Sequence, residues 1–348
     1  MENRVGKLQK KLKDGEGVLI SSKANIFYYS GFTSEDAMLY ISKEKAALLT
    51  DSRYTVQAKL EAPLFDAVIN KTKEYLKEIT EEKIFVEEDY LTLKKKEMLE
   101  ANLNGKELLS GQKIISGFRE IKDENEIKCI KAAEDLGCLA FEHILKFIKP
   151  GVKEKDVALE LEFFMRKNGA SCLSFDTICA SGVRSSMPHG TASEKEIKSG
   201  ELLTLDFGCI LDGYCSDMTR TIIIGAPSDE KQVEIYNIVL KAQEAALKTL
   251  KPGLPCADAD KMARDIIKAA GYGECFGHSL GHSLGIEIHE SPNLSEKSKD
   301  SLKAGNVVTV EPGIYIEGFG GVRIEDVVAI TENGYINLTT SEKELIIL

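Results

Sequence analysis

Residues 120–348 repeat themselves at a shift of 102 positions. Ile148-Lys149-Pro150-Gly151 falls on Leu250-Lys251-Pro252-Gly253, Asp156 on Asp258 and Gly169 on Gly271. The apolar Val157, Leu161, Phe164 and Met165 fall on Ala259, Ala263, Ile266 and Ile267. Chance could give one Lys-Pro-Gly match, but not easily the whole register. Each copy reads as a long helix, a KPG turn, a second helix and then strand-like segments. In the first copy Asp123 is placed to cap a helix whose apolar stripe runs Ile130, Ala133, Gly137, Ala140, Ile144, Ile148. The second helix is expected at about 154–168, ending at Gly169. A duplication of this kind predicts two related halves whose strands meet in one sheet, with a cleft between the halves as a natural site.

The preceding residues read differently. GVLISS (17–22), NIFYYSGF (25–32), AMLYIS (37–42), KAALLTDSRY (45–54) and IFVEED (84–89) have strand character, and 54–61 and 71–81 read as helices. Gly111, Ser116 and Gly117 punctuate the chain between 110 and 118. The expectation is a small α/β domain over 1–116 and a larger α+β domain over 117–348.

Chemistry is concentrated in the larger domain. In ELLTLDFGCILDGYCSDMTRTIIIG (201–225), Asp212-Gly213 signals a two-residue hairpin. That turn sets Leu211 opposite Tyr214 and hence Asp206 opposite Thr219. Asp217, two residues before Thr219, then shares a face with Asp206. The second half carries three of the five histidines within GHSLGHSLGIEIHE (277–290). Glu311 in VVTVEPGIYI (307–316) and Glu325 in GVRIEDVVAI (321–330) each interrupt an apolar strand. The GFGG turn (318–321) can join those strands as a hairpin. Unpaired carboxylates in apolar runs are costly to bury. An ion pair with Arg323 would account for only one of the two. Four carboxylates and one imidazole suit two divalent cations, the negative charges balancing two M²⁺. Oxygen-rich ligation leans toward Mn²⁺ or Co²⁺, with Fe²⁺ or Zn²⁺ as alternatives. A structural zinc site would use cysteine, and none lies in the cluster.

Composition narrows the classes. The net charge of −11 comes with interspersed signs and no basic stripe, against a nucleic-acid partner. No apolar run reaches the roughly 20 residues of a membrane span. The N-terminal MENRVGKLQKKLKDGEG has no apolar core of a leader peptide, and the eight cysteines form no Cys-x-x-Cys pair. A cytoplasmic protein with reduced thiols is expected.

LDFGCILDGYCSDMTRT, HSLGHSLGIEIHE, VEPGIYI and GVRIED resemble the pita-bread-fold metallopeptidases, in particular prolidases and aminopeptidases P. SFDTICASGVRSSMPHGTAS (174–193) is similar to the family's segment with a substrate-side histidine, here His189. The first domain resembles, more loosely, the creatinase-like N-terminal domain of the same enzymes. The resemblance implies Asp206 on one metal, Asp217 and Glu325 bridging, and His282 and Glu311 on the second. It implies His189, His278 and His289 near the substrate and Arg323 close by. It further implies a homodimer acting on proline-containing dipeptides or short peptides at the Xaa-Pro bond.

On that reading a metal-bridging hydroxide is the nucleophile and Glu311 takes its proton. His289 meets the oxyanion, and His189 or His278 donates to the substrate. A methionine aminopeptidase shares the five ligands but normally lacks the first domain. A creatinase-like hydrolase or a non-catalytic pita-bread peptide-binding module would have lost the ligands. His143 reads as helix packing or surface, and Tyr214, Thr219 and Tyr315 as possible neighbours of the site.

Overall fold

The computed structural model describes residues 4–348. Two compact units divide at Arg119 and Glu120, just past the stretch of glycines and serine.

The first unit is built on a six-stranded sheet of order β4-β3-β2-β1-β5-β6. Its strands are β1 (Glu16–Ile20), β2 (Ala37–Ser42), β3 (Ala46–Thr50), β4 (Asp66–Ile69), β5 (Lys83–Val86) and β6 (Glu107–Ser110). Helices α1 (Arg4–Gln9), α2 (Lys23–Ser30), α3 (Thr55–Glu61), α4 (Thr72–Glu78), α5 (Leu93–Asn102) and α6 (Gln112–Ser116) are interleaved with them. Residues 25–32, expected as a strand, lie mostly in α2. Ser22 caps this helix by accepting from the Asn25 N–H, and Gly31 ends it in the left-handed conformation. Ala24, Asn25, Ile26, Tyr28 and Tyr29 are all buried, so no clean polar face marked the helix in sequence.

The second unit opens with α7 (Glu124–Ile144), where Asp123 and Glu126 close a reciprocal capping box. Next come α8 (Glu154–Lys167), β7 (Cys172–Leu173), β8 (Ile178–Ser181), β9 (Glu201–Phe207), β10 (Cys209–Leu211), β11 (Tyr214–Cys215) and β12 (Met218–Ile224). The second copy follows with α9 (Glu230–Thr249), α10 (Cys256–Ala269), β13 (Gly281–Ser283), β14 (Glu290–Leu294), β15 (Val307–Val310), β16 (Gly313–Ile316), β17 (Gly320–Arg323), β18 (Asp326–Thr331) and β19 (Gly334–Asn337). At the 102-residue shift both ends of α8 fall on both ends of α10. Each half wraps helices on strands. Ile144, Val157, Leu161 and Met165 pack with Leu203 and Leu205, and Val239, Ala263 and Ile267 pack with Val308 and Val328.

The hairpin register is as the turn required. Leu211 faces Tyr214 and Asp206 faces Thr219, with Asp212 and Gly213 both at positive φ (51° and 82°). The strands do not merge into one sheet, however. They form β12-β9-β8, β11-β10-β7, β14-β13-β15-β18-β19 and the β16-β17 ribbon. The long runs 307–316 and 321–330 are each broken in two. Pro312 has no N–H to give to a ladder, and the Glu325 N–H bonds across to the Thr219 carbonyl at 3.1 Å. That bond, with Thr221 Oγ1 accepting from the Arg323 N–H and donating to the Arg323 carbonyl, stitches the halves where a continuous ladder was expected.

No helix among the described residues is long and apolar enough to cross a membrane. All eight cysteines are free.

Candidate metal centre

Each half lends one hairpin to the site. In the first, Asp206 lies on β9 and Asp217 immediately precedes β12. In the second, Val310 pairs with Asp326 and Gly313 with Arg323, so Glu311 and Glu325 lie opposite each other in the gap between the ladders. His282, on β13, completes the set.

Asp217, His282 and Glu325 bring one ligand atom each within 4.8 Å of one another. His282 Nε2 is 3.5 Å from Asp217 Oδ2 and 3.5 Å from Glu311 Oε1. Its Nδ1 is 3.1 Å from the Ser283 carbonyl oxygen, which can only accept. The proton therefore sits on Nδ1, and Nε2 turns a lone pair toward the carboxylates, the tautomer a metal ligand needs. Burial, with His289 beside it, lowers the His282 pKa to about 4, so the ring is neutral at physiological pH.

Two threonine hydroxyls order the carboxylates. Thr309 Oγ1 accepts from the His282 N–H at 3.0 Å and donates to Glu311 Oε1 at 3.1 Å. Thr219 Oγ1 accepts from Arg323 Nε at 3.0 Å and donates to Glu325 Oε2 at 2.7 Å. Arg323 also reaches Asp206 Oδ2 at 2.6 Å and the Tyr315 hydroxyl at 2.6 Å. The arginine thus pairs with an aspartate, not with either glutamate as an Arg–Glu pair would require.

The charges are otherwise uncompensated. Burial pushes Glu311 up to about 8. Burial together with neighbouring carboxylates raises Asp217 and Glu325 well above the usual range. Asp206 Oδ1 is buried without a hydrogen-bond partner among the described residues. Closely set anionic oxygens, an orphaned oxygen and an imidazole lone pair fit divalent cations.

The nine residues expected as metal ligands or substrate-side groups line one cleft of about 590 Å³ within the second unit: His189, Asp206, Asp217, His278, His282, His289, Glu311, Arg323 and Glu325. The His282 and His289 rings meet edge to face at 4.5 Å. His278 differs from its neighbours. Its Nδ1 faces the Ser279 carbonyl at 2.8 Å, and its Nε2 is 2.9 Å from the Tyr315 hydroxyl. Both ring nitrogens are occupied, which leaves it no donor for a substrate. Tyr315, left between pocket and sheet by its sequence, belongs to this network. Thr309 belongs to no motif, and its only signal in the sequence is a polar residue two before Glu311 in an apolar strand, on the same face. Tyr214 bonds Glu126, and His143 bonds Glu160 and stacks on Phe164, all apart from the cluster.

Residues 128–332 match the profile of Metallopeptidase family M24, and residues 4–121 match the Creatinase/Prolidase N-terminal domain. The chain belongs to metallopeptidase family M24. Its larger unit is the pita-bread fold of that family, preceded by the creatinase-type domain. Among M24 relatives, a Xaa-Pro dipeptidase from Pyrococcus horikoshii is 42% identical, covering 95% of this chain and 94% of its own. The solved structure of a Xaa-Pro dipeptidase from Bacillus anthracis superposes with a TM-score of 0.95 at 45% identity, over 99% of each chain. An X-Pro aminopeptidase from Thermotoga maritima superposes with a TM-score of 0.92 at 39% identity, over 98% of this chain and 99% of that one. As a metallopeptidase of this family the protein is a hydrolase that works with divalent metal ions.

Proposed function

We propose that this protein hydrolyses the peptide bond between any residue and a following proline, using two divalent ions held by Asp206, Asp217, His282, Glu311 and Glu325. The observation that carries this reading is the buried knot of carboxylates around His282 Nε2, whose ionised form bound cations would stabilise. The proline preference rests on the names borne by the similar dipeptidases and aminopeptidase.

Mn²⁺ or Co²⁺ at this oxygen-rich site would activate a water as the attacking hydroxide and polarise the scissile carbonyl. Glu311 would accept the proton that the water gives up. Thr309 and Thr219 hold Glu311 and Glu325 in the orientation this needs. His289, beside His282 in the cleft, would donate to the oxygen that gains charge. His189 would donate to the substrate. His278, with both nitrogens engaged, would act through Tyr315 and Arg323, steadying Asp206 instead of touching the peptide.

The test is hydrolysis of Ala-Pro, Ala-Pro-Ala and Met-Ala-Ser by protein loaded with Mn²⁺ or Co²⁺. Cleavage of either proline peptide, and not of Met-Ala-Ser, is expected. The ratio of the first two rates decides between dipeptidase and aminopeptidase. Cleavage of Met-Ala-Ser alone would overturn the proline reading in favour of a methionine aminopeptidase. Inactivity toward all three would favour a binding module. His189→Ala and His289→Ala should lower turnover and leave metal content intact. Loss of metal in either would show that the histidine is a ligand. A cytoplasmic homodimer completes the proposal, and light scattering should give twice the chain mass.

A further inference from the structure

His189 lies in the loop 181–193, the first part of the connection from β8 to β9, and both ends of that loop converge on one side chain from a helix. Glu154 sits in the first turn of α8 and is 0% exposed. Its Oε1 accepts from the Ser181 N–H at 2.7 Å and the Ser181 hydroxyl at 2.8 Å, where the loop begins. Its Oε2 accepts from the Ser193 N–H at 3.1 Å and the Ser193 hydroxyl at 2.6 Å, where the loop ends. Arg184 Nε, inside the loop, adds a bond to Oε2 at 2.9 Å, and Arg184 Nη2 crosses to the Thr191 carbonyl at 2.6 Å. A single carboxylate thus closes the loop into a ring, one oxygen for each end. At the tip, Arg323 Nη1 holds the carbonyl of Pro188, next to His189, at 3.2 Å.

We infer that Glu154 is a positioning residue for the reaction, fixing the 181–193 loop so that His189 meets the substrate; this rests on the reading of His189 given above. A fully buried carboxylate with this many donors exceeds what a helix end needs, since the first turn of α8 has its own N–H donors that Glu154 does not cap. Burial pushes its carboxyl up, yet the Ser193 and Ser181 donors and the Arg184 charge together hold it below the usual carboxylate range, so it stays an anion. In the other half the equivalent helix also anchors a histidine-bearing segment, but from a different position, since Glu154 falls on Cys256 at the 102-residue shift. Asp260 on α10 accepts from the Leu280 N–H at 2.9 Å and pairs with Arg264, whose nitrogens hold the carbonyls of Phe276 and His278.

The test uses Glu154→Ala and Glu154→Gln in the full chain, with His189→Ala and the double variant beside them. Displacing a substrate-contacting group by about 1 Å costs on the order of 100-fold. Glu154→Ala should therefore lower kcat/KM for Ala-Pro or Ala-Pro-Ala about 10- to 100-fold, mainly in kcat, with metal content unchanged. Glu154→Gln keeps an acceptor for one end only and should fall between. The losses should not multiply, so the double variant should be no slower than His189→Ala alone. A lowered melting temperature with turnover retained, or fully multiplicative losses, would overturn the inference. Should His189→Ala prove fully active, the role given to His189 falls, and hydrogen exchange decides the clamp by itself. Faster exchange at residues 182–193 in Glu154→Gln supports it, and unchanged exchange refutes it.

Discussion

Thr309 and Thr219 each spend one hydroxyl twice, accepting from one site residue and donating to another. Replacing either with valine keeps the shape and removes both bonds. Outer partners of metal ligands are generally worth 10- to 100-fold in affinity. Thr309→Val and Thr219→Val should therefore each weaken Mn²⁺ binding about 10- to 100-fold in calorimetric titration while the far-ultraviolet spectrum stays native. The carboxylates give a second prediction, through pH. Asp217, Glu311 and Glu325 have folded-state pKa values raised by burial, Glu311 to about 8. In metal-free protein such groups favour folding below their unfolded values near 4 and oppose it increasingly as pH rises toward 8. Metal binding needs the deprotonated forms and reverses that penalty. The gap in melting temperature between metal-loaded and chelator-treated protein should widen from pH 5.5 to pH 8. A constant gap would mean the metals are not held through these groups. At this scale the sequence was informative, because charge in an apolar strand is conspicuous. The partners of Arg323 were not legible, since its reach to Asp206 depends on how the two hairpins stack.

Among the elements, local chemistry decided what could be read. The Asp212-Gly213 turn carried the register of β9 and β12 and hence the Asp206–Thr219 pairing. The repeat carried α8 and α10 with their ends. Helix α2 reads as a strand because Ile26, Phe27, Tyr28 and Tyr29 have strand propensity and burial removes the polar face, so only its caps, Ser22 and Gly31, mark it as a helix. The interruptions at Pro312 and Glu325 were missed as breaks, although proline within a run is a known sign of one. Strand β13 offers a sharp test. A Cβ on Gly281 would lie 2.1 Å from the Thr309 carbonyl oxygen, so β13 can approach β15 only with glycine there. Gly281→Ala should push His282 off its station, costing metal affinity more than it costs overall fold. Metal analysis beside circular dichroism would separate the two.

At the scale of the molecule, the duplication was visible in sequence but its assembly was not. Two similar halves suggested one sheet, whereas the structure keeps several and joins them through side chains and a few backbone bonds around Thr219, Thr221 and Arg323. Which bonds form at that seam depends on contacts made more than a hundred residues apart, beyond the range of periodicity. The seam also divides the proposed ligands, with Asp206 and Asp217 on one side and His282, Glu311 and Glu325 on the other. Neither half alone holds a complete set. If residues 120–225 and 226–348 were made as separate polypeptides, each would carry an unfinished site, and Mn²⁺ would become the glue of a split protein. Their reunion should then depend on metal concentration, and catalytic rate would serve as a direct reporter of association between the two pieces.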